Sequence, residues 1–335
     1  MKERKKIIIF GATGNVGSYL TMYACNFFSK EEYEIIASGR RNTDFWIKKG
    51  IRYFSIDVTK KRDFEQLPTE NVYAVILLSA TIPAAVNEYN PNAYVDSIIS
   101  GALNVLEYCR IVKADRILFA QTIFDVGKYP ENSIIKPDAS PLFSYTDDHA
   151  IYVICKNSAI ELIKHYHETY GLKSFIFRFP SIYCYSPNYY FLHNGKLEMR
   201  PLYKQIFRAI NSEPLEVWGN PLYRKEMPHV YDLSQMLCKA VLVSRESGFY
   251  NVGTGIPVTV EEQCRAIIDV FSPKEKPSEI IYYPEKPSGA GFLQLDITNA
   301  VQELGYKPLY DVTKIFQDFK YEMEVNTFKE LRINE

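Results

Sequence analysis

Residues 7–17 read Ile7-Ile8-Ile9-Phe10-Gly11-Ala12-Thr13-Gly14-Asn15-Val16-Gly17, and no other stretch narrows the possible folds so far. A short apolar run behind basic residues reads as a buried strand. A glycine-rich turn follows at once. Leu20, Tyr23, Ala24, Phe27 and Phe28 then recur at helical spacing. Strand, glycine turn and helix make the opening unit of a dinucleotide-binding α/β fold. Gly11 permits the tight turn, Gly14 lets backbone approach a pyrophosphate, and Gly17 lets helix and strand pack closely. The helix start adds free N–H donors and a positive dipole end.

The pattern behind this unit repeats strand and helix. Strands are expected at Glu34 to Ser38, Arg52 to Ile56, Ala74 to Leu78, Arg116 to Ala120 and Ser174 to Phe179. Long helices are expected at about 93–110 and 150–170. Continuous apolar strands such as Ala74 to Leu78 suit the middle of a parallel sheet. The first long helix is apolar over more than one face, which predicts a second buried surface at a subunit contact. After Pro180 the chain turns rich in Tyr, Pro and Asn. Helices are expected near Leu202 to Ile210, Leu233 to Val243 and Val260 to Phe271, a strand at Gly248 to Val252, and a short helix in the tail from Asp296. The fold class is α/β: a Rossmann-type doubly wound parallel sheet with a smaller, interleaved C-terminal substrate-binding domain. The sheet domain takes residues 1–180, with 229–255 returning to it; 181–228 and 256–325 form the other.

Composition removes several classes. A net charge of −1 gives no field for nucleic acid. No run of about 18 apolar residues is present to span a membrane. The six cysteines are scattered without a CxxC pair and read as reduced thiols of a cytoplasmic protein. His165 and His167 diverge on their helix and no HExxH occurs, so no metal site is expected.

Tyr152 and Lys156 lie at i and i+4, on one helix face. An ammonium beside a phenol lowers its pKa toward working pH, as acid–base catalysis requires. Thr122 sits just past a strand end, at the sheet edge where ligands of such folds bind. Its hydroxyl either bonds a substrate oxygen or closes a turn. Ser38 and Gly39 stand where NAD-preferring proteins carry a ribose-binding acid, and Arg40 and Arg41 come next. They form either a solvated basic turn or a seat for a 2′-phosphate; the second favours NADP over NAD. Asp57 either accepts from an adenine amino group or caps the next helix.

Taken together these residues resemble the extended short-chain dehydrogenases/reductases, the NAD(P)-dependent sugar epimerase/dehydratase family. The likeness runs nearly end to end. It includes Gly11 to Gly17, Asp57-Val58, Leu78-Ser79-Ala80, Gly101-Ala102-Leu103-Asn104-Val105-Leu106-Glu107, Thr122, Tyr152/Lys156, Arg178-Phe179-Pro180, His229-Val230-Tyr231-Asp232, Tyr250-Asn251-Val252-Gly253 and Leu304-Gly305-Tyr306-Lys307-Pro308. The resemblance implies a catalytic set of Thr122, Tyr152 and Lys156. It implies cofactor contacts from Gly11, Thr13, Gly14, Asn15, Val16, Gly17, Arg40, Arg41, Asp57, Val58, Leu78, Ser79, Ala80, Phe179 and Pro180, with Tyr152 and Lys156. It implies a nucleotide-sugar substrate held by Thr122, Ser181, Tyr183, Arg224, Lys225 and Lys286, and a homodimer joined by the two long helices. Arg224, Lys225 and Lys286 are pyrophosphate ligands or ordinary surface. Tyr183, Asn188, Tyr189 and Tyr190 line a sugar pocket or form an aromatic core. Asp232 is expected to cap the helix from Leu233, and His229 to be a packed loop residue.

The chain also departs from the family pattern. Ile98 replaces an Asn, Ala120-Gln121 replaces Ser-Ser, and Ser181-Ile182-Tyr183-Cys184-Tyr185 replaces Asn-x-Tyr-Gly-Pro. Ile123 and Phe124 stand where 4,6-dehydratases carry an acid and a base, which argues against water elimination. The expected activity is epimerisation or 4-keto reduction of a nucleotide-activated sugar. The rivals are reduction of a non-nucleotide carbonyl and dinucleotide sensing without turnover; intact Thr122, Tyr152 and Lys156 favour an enzyme.

Overall fold

The computed structural model describes residues 3–83, 90–146, 149–193, 196–287 and 293–332. In chain order the first half holds β1 (Lys5–Phe10), α1 (Asn15–Phe27), β2 (Tyr33–Gly39), α2 (Phe45–Lys48), β3 (Arg52–Ser55), β4 (Val72–Leu77) and α3 (Pro91–Tyr94). A π turn at Val95–Ser100 carries α3 into α4 (Gly101–Val112), followed by β5 (Arg116–Thr122), β6 (Ser133–Ile135), α5 (Ala150–Tyr170) and β7 (Lys173–Phe179). The second half holds β8 (Tyr190–His193), β9 (Lys196–Met199), α6 (Pro201–Ile210), β10 (Leu215–Trp218), β11 (Arg224–Lys225), α7 (Val230–Leu242), β12 (Ser247–Asn251), β13 (Val258–Thr259) and α8 (Val260–Phe271). It ends with β14 (Ile280–Tyr283), β15 (Leu293–Leu295), α9 (Thr298–Leu304), α10 (Val312–Val325) and α11 (Lys329–Arg332).

Seven parallel strands form the central sheet in the order β12-β7-β5-β4-β1-β2-β3. The order reverses between β1 and β4, so the crevice for a ligand opens there. Strand alternation explains the two apolar layers. Ile7 and Ile9 face α1, α7 and the C-terminal segment, and Ile8 and Phe10 face α4 and α5. A third core holds Tyr183, Tyr185, Tyr203, Ile206, Cys264, Ile267, Phe316 and Phe319, away from the sheet. The segment after β11 comes back: α7 packs on α1, and β12 pairs with β7.

The glycine turn is built as tightly as its residues imply. Gly11 has φ 94°, a left-handed conformation, and a Cβ there would meet the Ser79 amide nitrogen at 3.0 Å. A Cβ on Gly17 would fall 2.0 Å from the Gly11 carbonyl oxygen. Gly101 plays the same part on the other face, where a Cβ would lie 2.8 Å from Val58 Cγ2. Asn104 Nδ2 donates to the Val58 carbonyl at 2.8 Å, so Val58 is pinned to α4 twice.

The helix expected from Leu233 begins earlier. His229 is the cap of α7, its Nδ1 accepting from the Tyr231 amide at 3.4 Å. Asp232 does not cap: its carboxylate accepts the Leu309 and Tyr310 amides at 2.8 and 3.1 Å and ties the tail to α7. A carboxylate one turn inside a helix start still gains from the dipole while it serves that distant backbone. Asp57 likewise closes a local turn, accepting from the Thr59 amide and hydroxyl at 3.1 and 2.8 Å.

The close contact at Gly17 makes an expected outcome. Gly17→Ala must push backbone against backbone and should lower unfolding free energy by at least about 3 kcal/mol. Gly14→Ala, whose Cβ meets only the Gly11 oxygen at 3.3 Å, should cost far less. Urea denaturation of both variants checks the contrast; equal losses would contradict it.

Candidate active site

Thr122 ends β5, buried, at the carboxyl edge of the sheet. Its Oγ1 accepts the Phe124 amide at 3.3 Å and so caps the short 3₁₀ turn Ile123–Val126. It also acts on the Tyr152 phenol, drawing its pKa down. Of the two readings of Thr122, turn closure is the one the structure displays. Tyr152 and Lys156 occupy successive turns of α5, with Lys156 Nζ 5.8 Å from the Tyr152 ring centroid and 4.7 Å from that of Phe119.

The electrostatics differ from the sequence expectation. Burial pushes Tyr152 up to about 12, against the downward pull of Thr122, and Tyr94 nearby adds to the rise. Burial lowers Lys156 from 10.5 to about 7. The Lys156 ammonium does not depress the phenol here, because it donates to the Ala120 carbonyl at 2.6 Å. Desolvation outweighs the attraction that the i, i+4 spacing suggested. Tyr152 also meets Tyr94 edge to face, with centroids 6.1 Å apart. The π turn after Tyr94 is fastened to the end of β4: Ser97 Oγ accepts the Thr81 amide at 3.1 Å and donates to the Ala93 carbonyl at 2.6 Å.

Gln121 belongs to no motif that marks a site, yet it joins the parts. It is 2 % exposed. Its Oε1 accepts the Thr122 amide at 2.9 Å, and its Nε2 donates to Asn157 Oδ1 at 2.7 Å and to Asp125 Oδ2 at 3.4 Å. Strand β5 is thus tied to α5 one residue from Lys156. The one signal for it in the sequence is the departure at Ala120-Gln121 itself.

At the other end of the crevice, α1 starts at Gly14 with no side-chain cap and no acidic residue in its first turn. An open helix start at the switch point fits a pyrophosphate, with Asn15 and Val16 at its mouth. Thr13 is buried against Gly39, where a Cβ would lie 2.5 Å from Thr13 Oγ1, which explains the glycine at the end of β2. Leu78, Ser79 and Ala80 follow β4 across the crevice from Gly11. Phe179 pairs with Thr122 in the sheet, and Pro180 follows it. The turn after β2 is held by Tyr53, whose hydroxyl donates to the Gly39 carbonyl at 2.9 Å and contacts that of Arg41. Arg40 is exposed; Arg41 is half-buried and lines a groove with Asp44 and Glu330.

The expected substrate residues fall into two places. Tyr183, 8 % exposed, lies 5.9 Å from Lys225 Nζ, and Arg224 neighbours it on β11. Ser181 is exposed just after Pro180. Lys286 packs instead on Tyr283 and Trp218 at 3.7 and 4.4 Å, beside the Arg208–Glu216 pair. Lys286-Pro287-Ser288-Gly289 resembles an Arg-Pro-Gly segment of the family, and its Ser288 and Gly289 lie outside the described residues. His229 is buried, stacked on Tyr310 at 4.0 Å and paired with Asp318 at 3.0 Å. Among the described residues no group of His, Cys, Asp and Glu suits a metal ion, and no helix is long and apolar enough to cross a membrane.

This pairing of fold and site is the short-chain dehydrogenase/reductase arrangement. The branch is specific: the NAD dependent epimerase/dehydratase family model matches residues 7–253, and the chain belongs to that family of NAD-dependent enzymes. A putative UDP-glucose 4-epimerase of Methanocaldococcus jannaschii is 24 % identical over 317 residues, covering 91 % of this chain and 94 % of the relative. A dTDP-glucose 4,6-dehydratase of Xanthomonas campestris is 25 % identical, covering 66 % of this chain and 63 % of the relative. Among solved structures, UDP-glucose 4-epimerase of Thermotoga maritima with UDP-glucose aligns at TM-score 0.75 and 18 % identity, over 95 % of this chain and 99 % of the other. UDP-glucuronic acid 4-epimerase of Bacillus cereus in complex with NAD aligns at 0.70 and 15 %, over 96 % and 99 %.

The buried ammonium has a pH signature. The unfolded chain keeps the Lys156 proton up to 10.5, while the folded chain loses it near 7. Between those values the unfolded state binds more protons, so wild-type stability should rise with pH relative to Lys156→Met, by at most about 1.4 kcal/mol per pH unit. Urea titrations from pH 6 to about pH 9 check this. Parallel curves would contradict it.

Proposed function

We propose that the protein is an NAD(P)-dependent epimerase or 4-ketoreductase acting on a nucleotide-activated sugar, with Tyr152 as the acid/base. The observation that carries this reading is the placement of buried Thr122 at the sheet edge with buried Tyr152 and Lys156 on successive turns of α5, the Lys156 ammonium 5.8 Å from the Tyr152 ring. When bound, the nicotinamide supplies the acceptor or donor of hydride. The residues of the chain do the rest. Tyr152 gives or takes the proton at the reacting carbinol oxygen, and Thr122 orients that oxygen. A phenol near 12 is held ready as a donor, the direction of ketone reduction. In the reverse direction Lys156 turns from the Ala120 carbonyl toward the phenol and the nicotinamide ribose. Gln121 and Asn157 keep β5 and α5 in the register this needs.

The substrate assignment is supported by relatives named for UDP-sugars and by the placement of Lys225 beside Tyr183. Residues 181–228 and 256–325 form the substrate-binding part, and 1–180 with 229–255 the cofactor part. Water elimination is not part of the reaction. Ile123 and exposed Phe124 offer neither acid nor base, and the nearest carboxylate, Asp125, is bound by Arg178 at 2.9 Å. Tyr152→Phe keeps the ring and should lower turnover of the sugar by roughly 10²–10⁴-fold, with cofactor affinity little changed. Full activity in that variant would overturn the mechanism.

NADP(H) is the preferred cofactor in this reading, because Arg40 and Arg41 follow a strand end without an acid. Replacing both with Ala should weaken NADP(H) by about 1–3 kcal/mol and spare NAD(H). Calorimetry decides, and equal losses would sink the assignment. The protein is also proposed to be a homodimer. Leu103, Ile111, Ile154 and Tyr170 are exposed on the long helices, and a four-helix contact would cover such side chains. Sedimentation should give twice the chain mass; a monomer at high concentration counts against it.

A further inference from the structure

Residues 326–332 leave the third core and return to the sheet. After α10, Asn326 turns the chain at φ 49°, and Glu322 closes that turn by accepting the Thr327 amide and hydroxyl at 3.2 and 2.9 Å. Phe328 then inserts between Tyr19, Phe45 and Trp46, with centroids 4.7, 6.1 and 6.4 Å away. Leu331 is buried, and Arg332 donates to Ser18 Oγ at 2.9 Å. Residues 326–332 are therefore fastened to the first turns of α1 and to α2. In this fold the pyrophosphate lies at the start of α1, and the adenosine ribose beside the turn after β2. Glu330 and Leu331 line, with Arg41, Asn42, Thr43 and Asp44, an open groove of about 820 Å³ on that turn.

We propose that the C-terminal segment is the outer wall of the adenosine-ribose subsite, and that Glu330 is a specificity-determining residue in it, opposing the 2′-phosphate that Arg41 attracts. The proposal rests on the NADP(H) reading of the β2 turn. β2 ends without a carboxylate at the ribose, and the groove holds two, Asp44 from the following turn and Glu330 from residues 326–332. Lys48 lies 3.1 Å from Asp44 and 3.6 Å from Glu330, and these three side chains are each more than half exposed. Such surface pairs add little stability, so a substitution at Glu330 changes the charge of the groove without disturbing the core.

The test uses the full chain and two probes that differ only by the phosphate, AMP and 2′,5′-ADP. Binding to wild type, Glu330→Gln and Glu330→Lys is measured by calorimetry at low salt, with thermal melts alongside. Glu330→Lys should tighten 2′,5′-ADP relative to AMP by roughly three- to tenfold, Glu330→Gln by less, and the gain should shrink with added salt. A 2′,5′-ADP to AMP ratio that stays fixed, with both probes bound by wild type, overturns the proposal and leaves the cofactor reading intact. If wild type binds neither probe, both fall together.

Discussion

One buried charge holds the working edge of this protein together. Arg178, 1 % exposed on β7, is a buried charge that costs the fold heavily unless its donors are met. Asp125 takes it at 2.9–3.1 Å through both oxygens. The carbonyls of Lys136, Pro137 and Ala139 and the Asn251 side chain take the remaining donors. Asn251 in turn donates to the Ile135 and Asp296 carbonyls, which lie on or beside β6 and β15. The loop after β5, the small β6–β15 pair and the edge strand β12 are thus folded onto one guanidinium. Gln121 extends the network from Asp125 to the Thr122 amide and to Asn157.

Much of this is readable from the chain because it is local. The glycine turn, the continuous apolar strands and the i, i+4 spacing of Tyr152 and Lys156 are set by neighbours a few residues apart, and the structure places each where its pattern implies. Contacts across long sequence separations are not readable in the same way. Gln121 meets Asn157 36 residues away, and Asp232 meets Leu309 77 away. Asp232 therefore has the look of a cap, while His229, a weaker capping type, does the capping. The Tyr152 and Lys156 pKa directions are hidden for a related reason: they depend on burial, and spacing reports only proximity. The return of residues 326–332 to α1 has no periodic signal at all. Its anchors, Phe328, Leu331 and Arg332, are few and stand beside polar residues.

The proposed chemistry asks little of the fold beyond rigid placement. A hydroxyl pair at a strand end, a lysine below it and an open helix start at the switch point are held by the most buried parts of the molecule. The turn after β2, the Tyr183–Lys225 region and residues 326–332 lie outside that frame. Family membership fixes the dependence on NAD; the proposed cofactor form and sugar rest on these places. Ile123 and Phe124, on which the proposal of a reaction without elimination rests, are not among the partners of Arg178.

The central claim, oxidation or reduction at one sugar carbon without loss of oxygen, is tested most directly by product analysis. A panel of nucleotide sugars and their 4-keto forms, deuterated at C4 where a hydrogen is present, is incubated with the protein and NAD(H) or NADP(H) and read by mass spectrometry and NMR. The account predicts that a member of the panel is inverted or reduced at C4, with every oxygen kept and no solvent hydrogen entering that carbon during inversion. A dehydrated 6-deoxy product, or turnover of simple carbonyls with none of any nucleotide sugar, would contradict it.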